Sequence, residues 1–140
     1  MGAISLRVKN DHAEMERITS ALESLAEQDN WSSGLLFHVN LALEELGLNI
    51  IDYGYDGGNH EIAIDVISEE DSVTIEIVDD GRPFDPLTDT PAPDLDSPVE
   101  DRRVGGQGVH LVRTLMDEVV YRREAGKNRL RLVARRTNRD

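Results

Sequence analysis

Three separated groups of residues have types and spacings that could do chemistry. Glu45 and Asn49 stand four positions apart in Leu43-Glu44-Glu45-Leu46-Gly47-Leu48-Asn49. On a helix that spacing puts both side chains on one face. A carboxylate beside a carboxamide offers hard oxygen donors for a hydrated Mg2+ and a partner for a water or hydroxyl. The same two residues also fit an exposed polar stripe continuing to Asp52. The second group is Val78-Asp79-Asp80-Gly81-Arg82-Pro83-Phe84, a strand that ends in a carboxylate and then a glycine. A buried carboxylate there could accept a hydrogen bond from the amino group of a purine. Gly81 would let the backbone come close to the base. An ordinary acidic turn fits this sequence too. The third group, Gly105-Gly106-Gln107-Gly108, opens a helix. Unpaired amides and the helix dipole at such an end favour an anion, which makes it a candidate phosphate cradle. A flexible hinge before a helix has the same composition. It is not a dinucleotide-binding fingerprint, because Leu111 occupies the third glycine position and a loop precedes it. Nor is there a P-loop: Gly126-Lys127 is followed by Asn128.

The elements that must position these groups are readable from periodicity. Ile4, Leu6 and Val8 alternate with polar residues, as a strand requires. Asn10-Asp11 offers an N-cap for a helix to about Gln28, striped by Met15, Ile18, Leu22 and Leu25. Asp29-Asn30 breaks it. A longer helix runs from Ser32 or Ser33 to about Tyr53, with Val39, Leu43, Leu46 and Ile50 on one side. Gly54 to Asn59 ends it. Glu61–Ile67 and Val73–Val78 form a hairpin across an acidic turn. All five prolines fall between Pro83 and Pro98, so residues 79–104 read as a long loop. A short helix follows the glycines, through Val109, Val112, Leu115 and Met116. Two last strands hold Val119-Val120-Tyr121 and Leu130, Leu132, Ala134, with Ala125 to Asn128 as their turn. The order predicts an α+β fold: a two-layer α/β sandwich with a mixed, mainly antiparallel sheet and helices on one face.

At 140 residues and 39% apolar content, the chain suits one domain with an aliphatic core. It has no cysteine, which excludes disulfide and thiol chemistry and is compatible with a reducing cytoplasm. The N-terminus lacks a secretion signal, and no apolar stretch approaches the length needed to span a bilayer. A net charge of −13 argues against nucleic acid as a partner. The basic residues are uneven: Arg122, Arg123, Lys127, Arg129, Arg131, Arg135, Arg136 and Arg139 crowd the C-terminal end. They read as a solvated strand face or as a docking surface for an acidic partner. His12, His38, His60 and His110 show no phospho-acceptor box and no zinc-ligand spacing.

In order and spacing, Glu45-x-x-x-Asn49, Asp79-x-Gly81, a long lid and Gly106-x-Gly108 resemble the N, G1 and G2 boxes of the GHKL (Bergerat-fold) ATPase/kinase superfamily. The resemblance spans about residues 5 to 135. It is strongest to the anti-sigma-factor serine/threonine kinases, through Asn49-Ile50-Ile51-Asp52-Tyr53-Gly54-Tyr55, Asp80-Gly81-Arg82-Pro83-Phe84-Asp85-Pro86 and Gly108-Val109-His110-Leu111-Val112-Arg113. Pro83 replaces the second glycine of the commoner box, as in the Gly-x-Pro-Phe-Asp-Pro subgroup. Leu48 stands where many relatives carry threonine, and Gly47 weakens the helix centre by roughly 1 kcal/mol.

The resemblance implies one domain over residues 1–140 that binds ATP and Mg2+, with an ATP lid at about 85–104. Asn49 would ligate the Mg2+ and Glu45 would be the general base. Asp79 would read the adenine amino group, with Gly81 against the base. Gly106 and Gly108 would lie on the phosphates, and Arg102 or Arg103 would contact the terminal phosphate. The implied acceptor is a serine or threonine of a STAS-type anti-sigma-factor antagonist. Sequestration of a sigma factor and a homodimer are further expectations, in a cytoplasmic protein. The alternatives are a nucleotide-binding module that grips a partner without efficient transfer, a histidine-kinase catalytic domain, and a scaffold whose motifs are accidental.

Overall fold

The structure is a computed structural model. It describes residues 1–55, 58–89 and 105–137, and of residues 105–107 the backbone alone. Strand β1 (Gly2–Lys9) leads through a 3-10 turn (His12–Glu14) into α1 (Met15–Gln28) and then α2 (Ser33–Tyr53). Hairpin β2 (Glu61–Ser68) and β3 (Ser72–Asp79) follow, then α3 (Gly105–Leu115), β4 (Glu118–Glu124) and β5 (Lys127–Arg135).

The helix ends have local causes. Asp11 caps the 3-10 turn by accepting from the Ala13 amide, so the regular helix starts at Met15 rather than directly after the Asn10-Asp11 cap. At the far end Asn30 takes a left-handed φ of 54°. The Trp31 amide then returns to the Ala26 carbonyl at 3.0 Å, a Schellman closure. Ser32 caps α2, its hydroxyl accepting from the Leu35 amide at 3.1 Å. The glycine expected to thin α2 at its centre lies against Met15 of α1: a Cβ on Gly47 would sit 3.3 Å from the Met15 Cε.

The sheet order is β1-β2-β3-β5-β4, and all four pairings are antiparallel. No parallel pair occurs among the described strands, so the sheet is simpler than the mixed form expected. Alternation sends Ile62, Ile64 and Val66 of β2, Val73, Ile75 and Ile77 of β3, and Leu130, Leu132 and Ala134 of β5 to one face. There they meet Ile18, Leu22 and Leu25 of α1, Val39, Leu43, Leu46 and Ile50 of α2, and Val109 and Val112 of α3.

Two sequence expectations change. The last turn is shorter: Ala125 and Gly126 alone form it, with φ of 52° and 75°, the handedness that a two-residue hairpin needs. Asn128 therefore belongs to β5 and points inward, 2% exposed. Second, α2 is by length and composition apolar enough to cross a membrane, at 21 residues and a mean hydropathy of 1.3. Leu35, Val39, Ala42, Leu43, Leu46 and Ile50 are instead engaged in the core, while Phe37 is exposed.

Candidate active site

Helix α2 is the spine on which the three groups meet. Glu45 is half-buried and Asn49 is 3% exposed. The reading of these two as an exposed stripe ending at Asp52 fails at Asn49. Only Asp52 faces solvent, where it pairs with His12 Nε2 at 2.6 Å. The Asn49 Nδ2 is buried and has no hydrogen-bond partner among the described residues. Leaving a buried amide donor unsatisfied costs about 1–3 kcal/mol. Half a turn about the last side-chain bond exchanges nitrogen for oxygen at little steric cost. The same buried position can thus present a donor to a phosphate or a hard oxygen to a cation.

The start of α3 lies directly against Glu45. A Cβ on Gly108 would fall 2.0 Å from the Glu45 Oε2 and 2.3 Å from its Cδ. The carboxylate occupies the space a side chain would need, so any residue but glycine would push it aside. Burial, and then the neighbouring charge of Glu44, raise the Glu45 pKa above its ordinary value. A carboxylate tuned upward is a better base.

The second contact with α2 is at its C-terminal end. A Cβ on Gly81 would sit 2.6 Å from the Gly54 carbonyl oxygen and 3.0 Å from the Tyr55 ring. The backbone of Gly81 therefore approaches the end of the helix, and it carries Asp79 with it. Asp79 is 3% exposed. Its Oδ1 accepts from the Gly81 amide and from Asn128 Nδ2, both at 2.9 Å. Its Oδ2 accepts nothing among the described residues and remains free for an incoming amino group. Burial raises the Asp79 pKa; the bonds from Asn128 and Gly81 oppose that shift, and the charge of Asp80 adds to it.

Asn128 uses its full hydrogen-bonding capacity at this corner. It also donates to the Arg82 carbonyl at 2.8 Å, and its Oδ1 accepts from the Phe84 amide at 3.1 Å and the Tyr121 hydroxyl at 2.5 Å. Arg123 Nη1 donates to the Gly81 carbonyl at 2.8 Å. Sequence reasoning missed Asn128 by placing it in a turn, although Asn128, Leu130, Leu132 and Ala134 keep a strict alternation. Tyr55 was missed as well. It stacks on His60 with ring centroids 4.3 Å apart, and its buried hydroxyl has no hydrogen-bond partner among the described residues. Burial, with the charges of Asp79 and Asp80, raises its pKa.

Gly108 and Gly81 thus touch α2 at Glu45 and Gly54, with Asn49 between them. By helix rise, Glu45 and Gly54 are about 13 Å apart. Gly106 lies in the first turn of α3. Arg102, Arg103 and lid residues 90–104 lie outside the described residues. Among the described residues no cluster of three or more His, Cys, Asp or Glu could hold a metal ion by itself. Mg2+ fits the buried carboxamide in a different way: it binds through few protein ligands, keeps several waters and takes the rest from phosphates.

The family profile of the histidine kinase-like ATPase domain matches residues 8–134. The chain belongs to that family. Among its relatives is the serine/threonine-protein kinase BtrW of Bordetella bronchiseptica, 33% identical over 115 residues that cover 81% of this chain and 80% of BtrW. The serine-protein kinase RsbW of Halalkalibacterium halodurans is 31% identical over 91 residues, 63% of this chain and 56% of that protein. RsbW of Listeria monocytogenes is 26% identical over 120 residues, 83% of this chain and 75% of its own length. An ATPase-family fold and relatives named as serine kinases agree with the architecture around α2.

Proposed function

We propose that this chain is an ATP-dependent serine/threonine protein kinase of the anti-sigma-factor type, acting in the cytoplasm on a STAS-type anti-sigma-factor antagonist and sequestering a sigma factor. The observation that carries the reading is the seating of the Glu45 carboxylate against Gly108, one helical turn from the orphaned carboxamide of Asn49. A base, a ligand for a cation and a glycine-lined helix start are what phosphoryl transfer needs in one place.

In this reading residues 1–140 form one GHKL domain. Asp79 Oδ2 accepts from the adenine amino group, and the Gly81 backbone lies along the base. The α3 amides at Gly106 and Gly108 align the phosphates. Asn49 holds Mg2+, which when bound supplies charge neutralisation on the triphosphate. Glu45 orients the acceptor hydroxyl and takes its proton as the oxygen attacks the terminal phosphorus, the bond from that phosphorus to the β,γ-bridging oxygen breaks and ADP leaves. Arg102 or Arg103 contacts the terminal phosphate, and the 85–104 lid closes over the nucleotide.

The test is transfer from labelled ATP to a candidate STAS-type antagonist, comparing the native chain with Glu45→Ala. The expected result is label on a serine or threonine of the antagonist, lost in Glu45→Ala while ATP still binds. Binding of ATP with no label on the antagonist would favour the nucleotide-gated binding module instead.

A further inference from the structure

The basic C-terminal run takes no part in the chemistry above, and the sheet distributes it in a specific way. Because Asn128, Leu130, Leu132 and Ala134 point into the core, Arg129 and Arg131 point to the opposite, outer face. Register sets Arg122 beside Arg129 and Val120 beside Arg131 on β4. On the other flank it sets Val78 beside Arg129 and Glu76 beside Arg131 on β3. These six residues line a groove of about 90 Å³. That is about the space of three waters, or of one carboxylate with part of its side chain.

The three guanidiniums are not equally engaged. Arg131 bonds Glu118 at 2.9 Å. Arg122 meets Glu124 at 3.4 Å, with 64% and 56% of the two side chains exposed, a weak pair. Arg129 makes no ion pair or hydrogen bond among the described residues, yet its Nε is buried. A buried guanidinium N–H without an acceptor costs free energy that an incoming anion would recover. Among the described residues, Glu76 is the one carboxylate on the groove wall, set against three arginines.

We propose that this groove docks an apolar segment of another protein that carries an Asp or Glu, with the carboxylate taken by Arg129 and Arg122 and the flanking aliphatic groups lying on Val78 and Val120. Three features select that occupant. Three guanidiniums against one lining glutamate favour an anion. The valine walls reward an apolar flank, and Val120 is 45% exposed. A net charge of −13 repels a polyphosphate backbone over many contacts, whereas one carboxylate meets only the local guanidiniums. The groove lies across the sheet from α2, so docking leaves the Glu45–Asn49 site open. The inference is independent of the kinase reading.

The test uses the full chain and a fluorescein-labelled peptide of alternating Val and Glu, read by fluorescence anisotropy. Comparison probes are the same peptide with Gln for Glu and a single-stranded DNA oligonucleotide. The Val-Glu peptide is expected to bind, with affinity at least about tenfold lower in Arg122→Gln/Arg129→Gln and unchanged in Arg17→Gln on α1. In 15N spectra of the native chain, the Arg129 Nε–H should shift on titration, a readout that needs no variant to fold. Equal binding of the Gln peptide, tighter binding of the DNA, unaltered affinity in the double variant, or an unmoved Arg129 resonance at saturation would each overturn the proposal.

Discussion

Asp29 and Glu45 are both carboxylates on helices, at the end of α1 and in the middle of α2, and the protein treats them in opposite ways. Asp29 is surrounded by donors. The Met1 ammonium reaches its Oδ1 at 2.7 Å, Arg136 Nη1 reaches Oδ2 at 3.1 Å, and the Ser68 hydroxyl donates to Oδ2. Ser68 in turn accepts from the Trp31 indole at 2.8 Å. Arg136 also donates to the carbonyls of Asp29, Asn30 and Glu69. Those bonds, first from the Met1 ammonium and then from Ser68, pull the Asp29 pKa from 3.8 to about 2. Glu45 has burial and a second glutamate beside it, and its pKa rises. Its neighbour Asn49 keeps a buried donor without a partner among the described residues. One cluster is complete and ties the N-terminal elements to the end of β5. The other is left incomplete, as a site is when its missing partner is a ligand.

The largest effect should come from disturbing the incomplete cluster. Gly108→Ala would displace the Glu45 carboxylate, the mobile end of its side chain, so the fold should hold. Phosphoryl transfer should fall roughly 100-fold or more, because a misplacement of about 1 Å is that costly. Single-turnover kinetics and a melting curve on the same variant check both halves.

The complete cluster should respond the other way. Arg136→Ala removes its bonds to Asp29, Asn30 and Glu69 together and should lower the melting temperature while leaving ATP affinity unchanged. Trp31→Phe, which deletes one donor to Ser68, should do the same more mildly, with the lost bond costing about 1 kcal/mol. A loss of nucleotide binding in either variant would erase the distinction between the two regions.

The smallest and sharpest effect is in pH dependence. Asp29 has a folded-state pKa below its ordinary value, so its stabilisation is present above about pH 4 and disappears as pH falls through about 2. Asp29→Asn should therefore be less stable than the native chain at neutral pH, with the gap closing in that acid window. Glu45 has the opposite sign: its raised pKa favours the protonated form in the fold, a contribution present below 4.5 and lost as pH rises through the raised value. Glu45→Gln should be more stable than the native chain at neutral pH and equal to it in acid. Melting temperatures from pH 2 to 8 decide both.

The sequence made the site legible to the extent that its parts were local. The four-residue step from Glu45 to Asn49, the Asp79-Gly81 strand end and the glycine-rich helix start each depend on near neighbours, and each lies on its expected element. What escaped was contact between distant segments. Arg136 and Asp29 are far apart in sequence and carry no pattern that pairs them. Asn128 looked like a turn residue because turns favour asparagine, and only the inward rhythm of β5 marks it as the hub beneath Asp79. The packing of Gly81 against the Gly54 carbonyl at the end of α2 was likewise not legible. Arg102 and Arg103 remain proposals, and retained activity in their double alanine variant would remove them from the site.

The most direct test of the convergence on α2 is calorimetric titration of ATP into the native chain and into Asn49→Ala, with and without Mg2+. The expected result is a native affinity that Mg2+ strengthens and a variant that keeps its melting temperature but loses the Mg2+-dependent part. An Asn49→Ala chain that binds ATP as tightly as the native one and responds equally to Mg2+ would contradict the account.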